Sequence, residues 1–549
     1  MVHATLPGAI DGVGAGAAAD RRDRRWRRVG QTAAGSLLAA LLFVCYLHVS
    51  RTQRVESDGA SNALQAWDML HGNLLLHGWI VPDVSFYLTE LPEYMLVEAV
   101  RGLNADVLHV AAALTYTLAV VLAALLARGM ATGREAAVRM LVAAGIMLAP
   151  EPGPGVFILL FQPDHFGTQV PMLATWLILD RVWHGSRRWW APVLIGILLS
   201  WIGISDQIAS LIGVIPLVLV CGLRAWQRIA AGARARSAWF ELSLAAAGLV
   251  SVAAARVTVK LISLSGGYRM LPLTAGAITL RELPGHLRLW LQGVTGFYGA
   301  SFTVRPGLPW AFAALHLAGL ALAAWGLWLA IRRFHRNDDV VSQLLAIAIV
   351  VVSLAFIASS RPSTYWGTRD LAGLLAMGAV LAGRMAGPRL AAGRSWGRVT
   401  LGLFLTGYLV ALGWAATRPP VPADTQDLAN WLIAQRAADG LTRYGLSSYG
   451  LGNVTTMSAG GTVGLRSVVA TRRGISPGAH EFDLTWYNPS RQDMNFAVVR
   501  IVRGDDDPVS RAELSKAFGP PTRYYRYGPY LIMTWHKNLL TQLGPAAPH

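Results

Sequence analysis

The chain has 549 residues, of which 54% are hydrophobic and 14% charged, and its mean hydropathy is +0.41. That apolar share exceeds what a soluble core hides, so a water-soluble domain is excluded and a polytopic membrane protein is indicated. The formal charge of +17 invites a nucleic-acid reading, yet the arginines are dealt into alternate short loops rather than one aromatic-laced patch, and no nucleic-acid partner is expected.

Residues 1–30 read as a disordered, Gly/Ala-rich tail ending in Arg21, Arg22, Arg24, Arg25, Arg27 and Arg28. The apolar run from Gly30 to Val49 has no small-residue cleavage site and reads as a retained anchor. From there to Arg418 stretches a membrane body. About eleven runs long enough to cross ~30 Å of hydrocarbon are expected in it. They are 31–49, 107–127, 136–150, 166–183, 190–204, 206–223, 239–263, 308–331, 341–359, 370–386 and 399–417.

Basic loops stay cytoplasmic. The amino-terminal arginines fall on one side with Arg128, Arg134 and Arg139, with Arg187 and Arg188, with Arg332 and Arg333, and with Arg384, Arg389, Arg394 and Arg398. The amino terminus is therefore expected inside a cell membrane, and an odd span count puts the carboxyl-terminal part outside. That part, 419–549, begins at Pro419-Pro420-Val421-Pro422 and contains no membrane-length apolar run. Asp424 can start a helix that Gly440 stops, Val463–Ala470, Asn495–Val502 and Tyr530–Trp535 read as strands, and Ser510–Phe518 reads as a helix. A small extracytoplasmic α/β domain follows. Cys45 and Cys221 both fall within expected spans, so disulfides and thiol-ligated metals are not anticipated in the outer domain.

The first outer connection opens with Glu56-Ser57-Asp58 and continues through Trp67, Asp68, Glu90 and Glu93, too elaborate for a mere connector. The expected topology brings Asp164 and His165, Asp206, and the segment Arg361-Pro362-Ser363-Thr364-Tyr365-Trp366-Gly367-Thr368-Arg369-Asp370 to the same face. Asp206 interrupts a long apolar stretch, and placing it at the interface avoids the ~2.5–3.5 kcal/mol cost of a carboxylate at a helix centre. Arg361 and Arg369 are guanidinium forks suited to phosphate oxygens, and Tyr365 and Trp366 suit a membrane interface or a sugar face. Each feature has a structural alternative: Asp58 as a helix N-cap, Asp206 as a cap, Arg369 paired with Asp370, Arg256 and Lys260 as snorkelling side chains. A further outer connection, Ser265–Leu308, adds Tyr268, Arg269, His286 and Arg305.

At these residues the chain resembles the GT-C superfamily of polytopic glycosyltransferases, which take sugars from polyprenyl-phosphate donors and carry an acidic motif in the first outer loop. Glu56-Ser57-Asp58 is similar to its Glu-x-Asp version, with Ser57 between the acids and no adjacent acidic pair. The resemblance implies a polyprenyl-phosphate sugar donor, an envelope glycan or protein acceptor, and an inverting transfer with Asp58, then Glu56, as general base. Arg361, Arg369, Tyr365, Trp366, His165, Asp206 and Asp68 are then substrate-binding candidates. A divalent cation, Mg or Mn, on Glu56, Asp58 and His165 is a further expectation. Two other classes use the same residues: a lipid or glycan transporter lined by the charges, and a non-catalytic scaffold whose outer aromatics bind the envelope.

Overall fold

The computed structural model describes residues 11–546 except 186, 273–274, 303–307, 337, 394, 423, 473, 479 and 502–508, so Arg305, Arg394 and Val502 lie outside the described residues. Two parts make up the chain, a bundle of apolar helices and a carboxyl-terminal sheet domain.

By length and apolarity, seven of the described helices can cross a membrane: Val29–Ser50, Asp106–Arg128, Ser210–Ala230, Ala235–Leu264, Leu308–Arg332, Val340–Ala358 and Gly397–Ala415. Tyr365–Leu371 and Gly373–Ala392, bent by 42° at a break, meet the same measure together and make eight where the pair is counted as one span. The protein is thus a multi-pass membrane protein, and large apolar side chains such as Leu249, Val250 and Val257 are exposed on its helices as lipid contact requires.

Eleven full-length spans are not reached by this measure. The expected runs at 136–150, 166–183 and 190–204 fall on Gly133–Met147, Gln169–His184 and Trp190–Ser205, of 15, 16 and 16 residues. Helices of that size extend about 24 Å at most, short of the ~30 Å hydrocarbon layer. The first helix begins at Asp11 and runs unbroken to Ser50, so the basic stretch expected to be disordered continues it.

The carboxyl-terminal domain, named the outer domain for the side expected from sequence, follows the sequence pattern closely. Its first helix is Asp424–Asp439, and Arg511–Phe518 starts on a capping box in which Ser510 and Glu513 satisfy each other's backbone N–H groups. The six-stranded sheet runs in the order Gly474–Pro477, Gly464–Thr471, Tyr444–Ser447, Phe496–Arg500, Tyr530–Thr534, Arg523–Tyr527. Tyr444–Ser447 is parallel to both its neighbours and the outer pairings are antiparallel. Successive residues of Phe496–Arg500 feed opposite faces: Phe496 and Val498 join Leu428 and Leu432, whereas Ala497 and Val499 join Val468 and Met533.

A second, three-stranded sheet ties the two parts together. Trp79–Val81 pairs in parallel with Arg269–Met270 and antiparallel with Phe482–Asp483 of the outer domain. The crossover helix Tyr449–Ser458, which joins the first two parallel strands, packs against the helix Ser57–Leu70. The outer domain therefore sits directly on the acidic loop.

Candidate active site

Helix Ser57–Leu70 begins one residue after Glu56, whose extended backbone (φ −130°, ψ 166°) makes it the N-cap position without a side-chain capping bond. Asp58 is inside the first turn, where the helix dipole favours a carboxylate. The N-cap alternative for Asp58 is thereby replaced: its carboxylate reaches outward. Asp58 Oδ2 lies 3.0 Å from Arg369 Nη1, which is also 3.1 Å from Asp164 Oδ2. Asp58 Oδ1 accepts from the Tyr449 hydroxyl at 3.0 Å, and the Ser57 hydroxyl donates to the Tyr449 carbonyl at 2.6 Å.

Arg369 itself is carried on the short turn Tyr365–Leu371 and lies 4.8 Å from the Trp366 ring centroid. That indole packs on Phe157 and Phe161. Trp366 therefore backs the guanidinium, by a cation–π contact, instead of standing open to a sugar. Tyr365 packs against the same apolar core.

Adjacent residues face opposite ways around this wall. Asp164 and Arg369 turn towards Asp58, while His165 and Asp370 line a cavity of about 520 Å³. His165 Nδ1 is 2.9 Å from Asp206 Oδ2, and Asp206 also accepts from Thr168 Oγ1 at 2.8 Å and from the Ile208 N–H at 2.9 Å. The ring's Nε2 is 3.3 Å from Asp370 Oδ1, off-line for a hydrogen bond. Arg369 thus pairs with Asp58 and Asp164, and Asp370 serves His165. Asp164 occupies the left-handed region at φ 41°, a strained conformation for a non-glycine residue, as the abrupt change of direction between the two side chains demands.

His165 and Asp206 are 4% and 1% exposed, so the pair is out of water. Burial works against the imidazolium, but the Asp206 carboxylate and its hydrogen bond outweigh it and push His165 up to about 10. For Asp206, burial raises and the His165 charge lowers, and the result lies below the usual carboxylate range. Glu90 is buried over Gly167, with its oxygen bonded by Thr89, and burial holds it well above the carboxylate range. Burial lifts Glu93 to about 7 despite the bond it accepts from Thr115 Oγ1 at 2.6 Å.

The metal expectation does not fit these residues. Among the described residues no group of three or more His, Cys, Asp or Glu side chains is arranged for a metal ion. A ligating histidine must be neutral. His165 is held charged, with its nitrogens turned to Asp206 and Asp370, and Asp58 is committed to Arg369 and Tyr449. Asp68 is also elsewhere: near the far end of its helix it accepts from Asn73 Nδ2 at 2.6 Å and Trp79 Nε1 at 2.9 Å, about 15 Å along the axis from Asp58.

The cavity lining mixes apolar and charged side chains: Leu199, Val252, Val259, Val352 and Phe356 with His165, Asp206, Arg256, Arg361 and Asp370. Arg361 is paired with Asp83 at 2.6 Å on the cavity wall. Arg256 is exposed there, with no ion-pair partner among the described residues.

Sequence reasoning missed the outer domain's share of the site. Besides Tyr449, Glu481 reaches it: buried, bonded by Gln65 Nε2 at 3.1 Å, and pushed up to about 8 by burial first and by Asp58 second. Neither residue stands in a motif, and only the Phe482–Asp483 pairing with Trp79–Val81 brings Glu481 near.

No protein-family model matches the chain, and no curated protein matches it significantly. Among solved structures it is similar to ArnT from Cupriavidus metallidurans, crystallised bound to undecaprenyl phosphate, with a TM-score of 0.53 and 15% identity over 94% of this chain and 100% of that one. Over nearly its whole length, the chain therefore has a fold similar to that of ArnT.

Proposed function

We propose that this protein is a membrane glycosyltransferase that moves a sugar from a polyprenyl-phosphate donor to an envelope acceptor on the extracytoplasmic face. The observation that carries the reading is Asp58, held at 3.0 Å by Arg369, whose chain neighbour Asp370 lines a cavity of mixed apolar and charged side chains. Such a cavity suits a lipid tail ending in a phosphosugar. The ArnT likeness supports the same donor class, since that protein was crystallised with a polyprenyl phosphate.

In this mechanism the acceptor hydroxyl attacks the anomeric carbon from the side opposite the lipid phosphate. Asp58 takes the hydroxyl proton as the new C–O bond forms. The bond from the anomeric carbon to the phosphate oxygen breaks, and its electron pair leaves on the lipid phosphate, inverting the carbon. Arg256 and Arg361, lining the cavity, stabilise that leaving charge. Positive charge developing on the sugar is met by Asp58 and Asp164, two carboxylates that share the one guanidinium of Arg369. No step requires a metal.

The test is release of free lipid phosphate from a panel of polyprenyl-phosphate pentoses and hexoses by the reconstituted full-length chain. Asp58→Asn and Asp58→Ala should each lower the rate by roughly 10²–10⁴-fold, the usual range for a general base. Correctly inserted variants that turn over as fast as the parent would overturn the proposal.

A further inference from the structure

Three ends of apolar helices meet beneath the outer domain: Ser50 closes the span Val29–Ser50, Asp106 opens Asp106–Arg128, and the chain leaves Gly397–Ala415 into Pro420-Val421-Pro422. Backbone contacts fix the junction, with the Val421 N–H donating to the Arg51 carbonyl at 2.9 Å and His48 Nε2 lying 3.2 Å from the Arg418 carbonyl. Where apolar helices stop together, lipid headgroups begin.

Between these span ends and the sheet domain lies a cavity of about 260 Å³. Arg51, Arg54 and Asp106 line it from the membrane body, and Thr425 and Arg500 from the outer domain. Its lining holds three arginines and one carboxylate. Asp106, its one carboxylate, is already shared by Arg51 at 2.7 Å and Arg101 at 2.8 Å. Arg54 and Arg500 then add positive charge, and Arg500 has no ion-pair partner among the described residues. Guanidinium groups arranged around an opening suit the oxygens of a phosphate. Val55, Ala105 and the Pro420-Val421-Pro422 stretch supply apolar walls, which a free anion would not use but a lipid's glycerol and first methylenes would.

We propose that this cavity binds the phosphate of an anionic membrane lipid, which staples the outer domain to the membrane body through Arg51, Arg54 and Arg500. It shares no lining residue with the 520 Å³ cavity, so it is a site apart from the proposed donor pocket. The proposal does not depend on the glycosyltransferase reading.

The experiment is native mass spectrometry of the full-length chain released from phosphatidylcholine nanodiscs containing a minority of phosphatidylglycerol, with thermal unfolding in the same nanodiscs. The parent should retain phosphatidylglycerol selectively and unfold at a higher temperature when it is present. The Arg54→Gln/Arg500→Gln double variant, altered only at exposed side chains, should unfold normally in pure phosphatidylcholine, retain at least tenfold less phosphatidylglycerol, and gain no stability from it. Millimolar inorganic phosphate should not displace the lipid. Equal retention by parent and variant, or displacement by inorganic phosphate, would overturn the assignment to a lipid.

Discussion

The Tyr449 hydroxyl donates a hydrogen bond to Asp58 Oδ1 across 391 positions of sequence, at 3.0 Å. The outer domain thereby holds one oxygen of the proposed base while Arg369 of the membrane body holds the other. A carboxylate gripped at both oxygens from two parts of the chain is oriented only when those parts are docked.

Tyr449→Phe keeps the ring and removes that one bond. Hydrogen bonds to charged groups contribute about 1.5–3 kcal/mol. If the bond serves orientation of the base, kcat should fall roughly tenfold or more while KM changes little, because a 1.4 kcal/mol rise in the barrier is a factor of ten. Steady-state kinetics of lipid phosphate release separate this from a docking defect, which would lower the amount of folded protein and leave kcat per folded molecule unchanged.

Glu481 predicts an alkaline limb in the pH profile. Burial and Asp58 raise it from 4.5 to about 8, so it is neutral at pH 7 and ionises as pH rises through about 8. Ionisation sets a further negative charge beside Asp58 and Asp164, with Arg369 as the facing cation. Stability should therefore decline from about pH 4.5 to pH 8 and level off above, and activity should fall as pH rises through about 8 in the parent. Glu481→Gln, which can still accept from Gln65, should flatten that limb, and an unchanged limb would remove Glu481 from the account.

The buried pair His165–Asp206 predicts a pH window for stability. His165 is raised from 6.5 to about 10, so its contribution is whole below 6.5, declines as pH rises, and is gone above about 10. His165→Gln strands Asp206 as an uncompensated buried charge, a loss of roughly 3–5 kcal/mol near neutral pH. Thermal unfolding of both proteins from pH 6 to 10 should show the gap between them closing as pH rises.

Arg384 predicts a stability effect without an effect on chemistry. Counted from sequence as a loop arginine, it is instead buried, 2.9 Å from Asp180 and 2.7 Å from Asp339, and it donates to the Leu126 carbonyl at 2.6 Å. Arg384→Met leaves both carboxylates without their cation and should cost about 3–5 kcal/mol of stability. Activity per folded molecule should stay at the parent level, and normal unfolding of the variant would show the triad to be dispensable.

By itself the sequence determined the class and the elements. Apolar run lengths marked the long spans, and residue types with strong local preferences placed the outer elements within a residue or two: Asp424–Asp439, Gly464–Thr471, and Arg511–Phe518 with its Ser510/Glu513 box. It also singled out Asp58, Arg369, His165 and Asp206, because charged side chains at span ends stand out against an apolar background. Local signals of this kind act within a few residues of the chain and can be read without knowing its path.

Only the tertiary structure decided who meets whom. The division of Asp164 from His165 and of Arg369 from Asp370, each pair turned to opposite sides of one wall, depends on backbone direction at single residues such as Asp164, φ 41°. The 42° break beside Arg369 depends on packing between helices. Tyr449 reaches Asp58 because its helix packs on Ser57–Leu70, and Glu481 reaches Gln65 because one short sheet pairs Trp79–Val81 with Phe482–Asp483, both from hundreds of residues away. No periodicity encodes such a contact, since its energy comes from burying surfaces that exist only after both parts have folded.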